Sequence, residues 1–535
     1  MHYQIGLHTQ FCRQYTAIIS ILVVSILITT PFRSVVAKDT GLAAATIVIV
    51  NSTDDGGTTD CTNSTGKCTL RAALQSGASM IHFNIPGTGP FIINPTLSLP
   101  LGRSVTIDGY TQPGSQPNSL DVGNNAIIMI ELNGTLLPAI GISDALSLDK
   151  STVRGLAIVG FKGAAIRTGQ MPVSGPQIFG FKNRIEGNFI GVHPDGSPLG
   201  NGNGIIINNS QGNLIGGVTP DARNVISGNG VGIRGSTNKM GADYNAIEGN
   251  YIGTNPAGTI AIPNTLAGIY LEGSGGNNIG GTIPGARNVI SGNGGSGIIL
   301  RRFMLFNSSN NKITSNFIGT NAAGTTAIPN DGAGVFIDGN SDNVIGGLFP
   351  SEGNRIAFNA GAGISIIGSI EYGHGNRIGR NAILDNGGLG INLGNDGLTA
   401  NDLGDGDDGP NALQNYPVLS SATSFNTITP YPYGRTIIQG MLNSVANRSF
   451  SIDFYSAQNA DPSGYGEGET FLGSTIVITD NTGNTVFRFI SNVRILAREF
   501  VTATATDGDS NTSEFARAVV AVDRIVEVFL PIIHH

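Results

Sequence analysis

Two short stretches crowd oxygen-bearing side chains around glycine. NDLGDGDDGPN carries Asp402, Asp405, Asp407 and Asp408, and TDGDSNTSE carries Asp507, Asp509, Asn511 and Glu514. Carboxylates and amides alternating in this way suit a hard cation with about six to eight oxygen ligands, so Ca²⁺ is the cofactor they would hold. Neither stretch is a complete EF-hand loop, and an acidic turn closed by Asx hydrogen bonds is the competing reading. General acid–base chemistry needs a clustered carboxylate pair. Gly373-His374-Gly375 lies in the turn-like SIEYGHGN, and Asp331, Asp338 and Asp342 upstream are not spaced as such a pair, so His374 reads as a solvated turn residue. Proton abstraction from a sugar needs a base. Arg301-Arg302 is the adjacent basic pair of the central region, no acidic set stands in evident register with it, and a surface salt bridge is its expected role. Neither a Gly-x-Ser-x-Gly elbow nor a His-Glu-x-x-His pair occurs.

Composition narrows the field. The chain has 535 residues with only 12% charged side chains, 78 glycines, no tryptophan and a net charge of −8, so nothing resembles the basic footprint of a nucleic-acid binder. Arg13 precedes the apolar run TAIISILVVSILITT, and Val35 and Ala37 are placed as a small-residue cleavage site. Residues 1–37 are therefore expected to be a signal peptide, with no membrane span left after its removal. In an exported chain Cys61 and Cys68 are expected to form a local disulfide, with thiolate metal binding as the weaker alternative.

The elements that must position these residues show as a repeat. Segments starting at Asn183, Asn245 and Asn311 align over a period of about 65 residues, and a truncated fourth begins at Asn376. Each contains a shorter Asn-x-Ile beat, separated by alternating runs such as GIIIN, GIYLEG and GVFIDG. Such alternation marks strands with one buried face. Short strands, regular turns and no helical period predict an all-β chain built around a parallel β-helix. Asn183, Asn224, Asn245, Asn288, Asn311, Asn354 and Asn376 should stack into a ladder at its corners. The insertions VHPDGSPLGN, TNPAGTIAIPN and TNAAGTTAIPN should stack on one side, as plain elongated corners or as a binding surface.

The solenoid is expected over residues 101–410, after an N-terminal cap at 38–100 that holds the disulfide. A linker at 411–434 should follow, then a small antiparallel β-sandwich at 435–523 and an apolar tail at 524–535.

NVISGN, N.IGGT.PGARN and N.IGTN.AGT.A.PN resemble the exported right-handed parallel β-helix repeat proteins of bacteria. The end of the repeats, GGLGINLGNDGLTANDLGDGDDGPNALQNYPVL, and the terminal stretches DPSGYGEGETFLGS and TATDGDSNTSEF are similar to theirs. CTLRAAL resembles their CSLREA-type segment, with Cys68 and Arg71 retained but Thr69 for Ser and Ala72 for Glu. The resemblance implies a right-handed solenoid followed by an immunoglobulin-like domain, and no single reaction. The expected role is a non-catalytic display or spacer protein, secreted or at the cell surface, with polysaccharide or cell-envelope components as partners. The alternative is a polysaccharide lyase or glycoside hydrolase acting on acidic polysaccharide.

Overall fold

Isoleucine recurs at the inward position along most of sheets I and II, and a computed structural model shows the columns this builds. It describes residues 45–524, apart from 57–60, 62–65, 139–142, 170–179, 237–241, 305–307, 370 and 426–433. The expected signal peptide and nearly all of the apolar tail lie outside the described residues. Three parallel sheets wrap one core. Sheet I has eleven strands from Ile47–Val50 to Arg377–Gly379. Sheets II and III have ten each, from Phe91–Ile93 to Ala382–Leu384 and from Gly102–Arg103 to Ile391–Leu393. In sheet I, Ile185, Ile215, Ile247, Ile279, Ile313 and Ile345 pair in register and are fully buried. Each such side chain contributes about 1.5–3 kcal/mol on burial. Among the described residues no helix is long and apolar enough to cross a membrane.

The long period is two coils. Asn183 bonds Asn213 at a separation of 30 residues, and Asn213 bonds Asn245 at 32. Coils of two kinds alternate. One carries a 3₁₀ turn between sheets I and II, as at Pro220–Ala222 and Pro284–Ala286. The next carries a hairpin-like insertion between sheets II and III, closed by Thr254–Ala261 or Thr320–Ala327 bridges.

Three asparagine ladders run along the corners, not one. Asn183, Asn245, Asn311 and Asn376 share the first with Asn213, Asn277 and Asn343. Asn224, Asn288 and Asn354 belong to the second, alternating with Asn188, Asn250, Asn316 and Asn381. A third, through Asn201, Asn229, Asn264, Asn293, Asn330, Asn359 and Asn386, lacks the Ile two residues on and was not expected. In every rung an Asn carbonyl accepts from the amide of the preceding coil, so buried polar atoms are satisfied coil by coil.

At the N-terminal end the solenoid starts earlier than expected. Ile47–Val50, Met80–Phe83 and Phe91–Ile93 already belong to sheets I and II, because their apolar alternation closes coils without the Asn-x-Ile beat. The helix Leu70–Gln75 buries Leu70, Ala72 and Ala73, with Thr69 capping the Ala72 N–H. Cys61 and Cys68 are joined as a disulfide. Arg71 makes a forked bond to Asp55 and also reaches the carbonyls of Leu97 and Ser98.

The C-terminal region differs from a purely antiparallel sandwich. Seven strands form one mixed, barrel-like sheet in which Val418–Phe425 runs parallel to Val519–Arg524. Its two halves enclose Ile438, Phe450, Ile452, Phe454 and Val501. Val418–Phe425 falls inside the expected linker. The Pro-rich TPYPYG draws attention to a break, but the alternating VLSSATSF before it pairs with two neighbours.

Candidate functional site

Alternation decides what the outer face of sheet III presents. In Ala267–Glu272, Ile269 and Leu271 point into the core, so Tyr270 and Glu272 point outward. In Ile298–Arg301 the outward pair is Ile299 and Arg301, and in Val335–Asp338 it is Phe336 and Asp338. Register aligns Tyr270, Ile299 and Phe336 in one column and Glu272, Arg301 and Asp338 in the next. An acidic set therefore does stand in register with Arg301. Spacings of 29 and 37 residues hide it in the sequence, because successive coils differ in loop length.

The strip is a connected polar network. Arg301 Nε lies 3.2 Å from Asp338, and Arg234 reaches Glu272 at 3.6 Å. The Tyr270 hydroxyl donates to Glu272 at 3.3 Å, and Arg234 lies 5.5 Å over the Tyr270 ring. Arg302 covers the ring of Tyr372 at 3.3 Å. Arg301 has the salt bridge expected of it, within an array of aromatic faces, donors and acceptors. Glu272 and Asp338 stand two strands apart, roughly 10 Å at the backbone by strand spacing.

The acidic loops behave differently from each other. Asp402, Asp405 and Asp407 bring carboxylate oxygens within 4.8 Å of one another, while Asp408 is not part of the group. Asp405 accepts from Asn415 N–H and Ser444 Oγ, and burial pushes its pKa up to about 6. Asp407 Oδ1 is buried without a hydrogen-bond partner. An all-oxygen set of this composition fits a hard cation. The second loop gathers no such set. Asp507 closes its own turn on Asp509 and Asn511, and Asp509 pairs with Arg448 at 3.7 Å. Asn511 and Glu514 turn to the end of the solenoid instead, where Asn511 accepts from Gly375 N–H and Glu514 from Leu393 and Thr399 N–H.

Those contacts join a larger docking surface. Thr512 accepts from Ile378 N–H, the Tyr455 hydroxyl from Arg380 N–H, Gly468 from Ile383 N–H, and Glu467 from Asp385 and Asn386. The C-terminal sheet thus covers the open strand ends of the last coil. Burial pushes Glu514 up to about 7 and raises Glu467 as well.

His374 contributes backbone bonds, its N–H to Ser341 Oγ and its carbonyl to Asp342 N–H. The insertions do stack, with Ala322 N–H donating to Gly258 at 2.8 Å. Sequence reading missed a carboxylate–imidazole pair, in which His193 Nδ1 lies 2.9 Å from the buried Glu131. The partners are 62 residues apart, Glu131 on a strand of sheet II and His193 in the insertion that follows the strand Phe189–Ile190.

The fold defines a parallel β-helix with a C-terminal mixed sheet. No family model matches the chain, and no curated protein matches it in sequence. Among solved structures it is similar to the Dettilon tailspike protein, at 15% identity and a TM-score of 0.37, covering 88% of this chain and 94% of that one. It is also similar to the Acinetobacter baumannii phage AM24 tailspike, at 12% identity and a TM-score of 0.23, covering 79% and 68%. Similarity at this level bears on neither activity nor ligand.

Proposed function

We propose that the chain is an exported β-helical protein that binds glycan along the outer strip of sheet III and serves as a rigid display or spacer element at a cell envelope. The observation behind this reading is the register Glu272–Arg301–Asp338 beside Tyr270 and Phe336. Exposed ion pairs add only about 0–1 kcal/mol to stability, so folding alone does not account for such an array. A pyranose offers an apolar C–H face for an aromatic ring and hydroxyls for guanidinium and carboxylate groups. The signal peptide at 1–37, the kinship of the Cys68–Leu74 stretch with CSLREA-type segments, and that of the C-terminal sheet with immunoglobulin-like domains belong to the same reading.

The test is incubation of the mature chain with neutral and acidic polysaccharides, with and without Ca²⁺. At least one should be retained without being shortened, and Tyr270→Ala or Arg301→Ala should weaken retention about tenfold, or about 1.4 kcal/mol. Absence of binding across the panel, or binding that both variants keep, sinks the reading. Release of reducing ends or unsaturated products moves the assignment to a polysaccharide lyase or hydrolase. That alternative draws on two carboxylates flanking one guanidinium, near the separation of about 6.5–9.5 Å used by inverting glycosidases.

Asp402, Asp405 and Asp407 are proposed to hold Ca²⁺. Adding Ca²⁺ should raise the melting temperature of the parent and not of Asp405→Asn, whereas equal shifts in both would discard the site.

A further inference from the structure

The repeat gives two arginines the same setting and completes only one. Arg223 in DARN and Arg287 in GARN follow matching 3₁₀ turns, one long repeat apart. Each guanidinium lies over an aromatic ring of the next coil, Arg223 over Tyr251 at 4.6 Å and Arg287 over Phe317 at 4.2 Å. Each uses Nε on a backbone carbonyl of that coil, Gly249 at 3.3 Å and Ser315 at 2.9 Å.

Beyond Nε the two diverge. The terminal nitrogens of Arg223 are taken by the carbonyls of Leu120, Asp121 and Gly123, on a segment that folds over from the second coil. That segment is pinned by Gly123 N–H donating to the Tyr251 hydroxyl at 2.8 Å. At Arg287 nothing takes its place. Among the described residues its terminal nitrogens have no hydrogen-bond partner and no carboxylate pairs with it. Half-burial pulls its pKa below the usual arginine value, with no acidic neighbour to offset the loss of water. The group faces a hollow of about 310 Å³ whose floor is Tyr251, Val289 and Ala322.

We infer that this hollow binds the carboxylate of an acidic sugar, with the Arg287 fork donating to its oxygens as Arg223 donates to the 120–123 carbonyls. A guanidinium presents two parallel donors that match a carboxylate. The floor is apolar and larger than a lone anion needs, which suits a ring carrying the charge. Arg223 adds a second cation at the wall, and Asp121, exposed on the rim, is the one carboxylate among the described lining residues. The hollow lies on sheet II, away from the sheet III strip, so it stands or falls separately from the reading above.

The experiment is calorimetric titration of the full chain with trigalacturonate, with acetate and a neutral trisaccharide as comparison probes. Trigalacturonate should bind, Arg287→Gln should weaken it about tenfold or more, and Asp121→Asn, which keeps the backbone carbonyl, should strengthen it about two- to fivefold. Tyr270→Ala should leave it unchanged. Unchanged affinity in either pocket variant overturns the inference, as does acetate or the neutral trisaccharide binding as tightly. Should Arg287→Gln fail to fold, the gain in Asp121→Asn still decides.

Discussion

Asn288 shows what one ladder residue does. Its carbonyl accepts the Asn250 N–H and side-chain amide, and its own amide donates to Ile247 and Asn316. Replacement by Ala strands these buried groups at once, and each orphaned group costs about 1–3 kcal/mol. Asn288→Ala should therefore lower stability by ~2–4 kcal/mol, read as a drop in the chemical denaturation midpoint. An exposed asparagine such as Asn278, on the outer face of sheet I, should change it little. Val225 and Ile226 make a related point. Ile226 enters the core as the Asn-x-Ile beat foretells, yet Val225 is equally buried, because it and its neighbour Phe189 join an outer apolar cluster with Tyr110, Ile128 and Ile262. Periodicity reports the inward side, but a second layer laid over the outer side leaves no local mark.

Among elements, the loop 507–514 changes most in meaning. Its acidic pattern reads as a cation site, and its fold makes it a lid hinge-pinned to the last coil through Asn511, Thr512 and Glu514. The docking carries a pH dependence of definite sign. Glu514 is raised by burial to about 7, above its value in an unfolded chain. Its contribution is full below about pH 4 and is lost as pH rises through about 7, on the order of 3 kcal/mol. Glu467 is shifted the same way. The melting temperature should therefore fall from pH 5 to pH 8, and Glu514→Gln should flatten that slope. A slope that stays the same in Glu514→Gln would place the titration elsewhere.

For the whole molecule, the sheet architecture was legible because the core repeats: the same Ile at the same beat leaves few ways to bury it. The ladder was legible in part, since Asn183 and Asn224 carry the Ile two residues on, whereas Asn264 and Asn330 follow a proline at the end of an insertion. The strip on sheet III was not legible. Tyr270, Arg301 and Asp338 become neighbours only through register, and unequal insertions disguise register in the chain. The joint between solenoid and C-terminal sheet was hidden for a like reason, as Glu467 and Glu514 are far in sequence from the backbone groups they meet.

The three ladders have a direction. Every rung donates from an earlier coil to a later one, so the side-chain amide dipoles add along the axis and mutually polarise. The positive end of that sum is the last coil, where amide donors are left after the asparagine acceptors run out. Asn386 there meets the carboxylate of Glu467. The solenoid is thus a polarised rod, its electropositive end matched by an acidic stopper in the manner of a helix terminus.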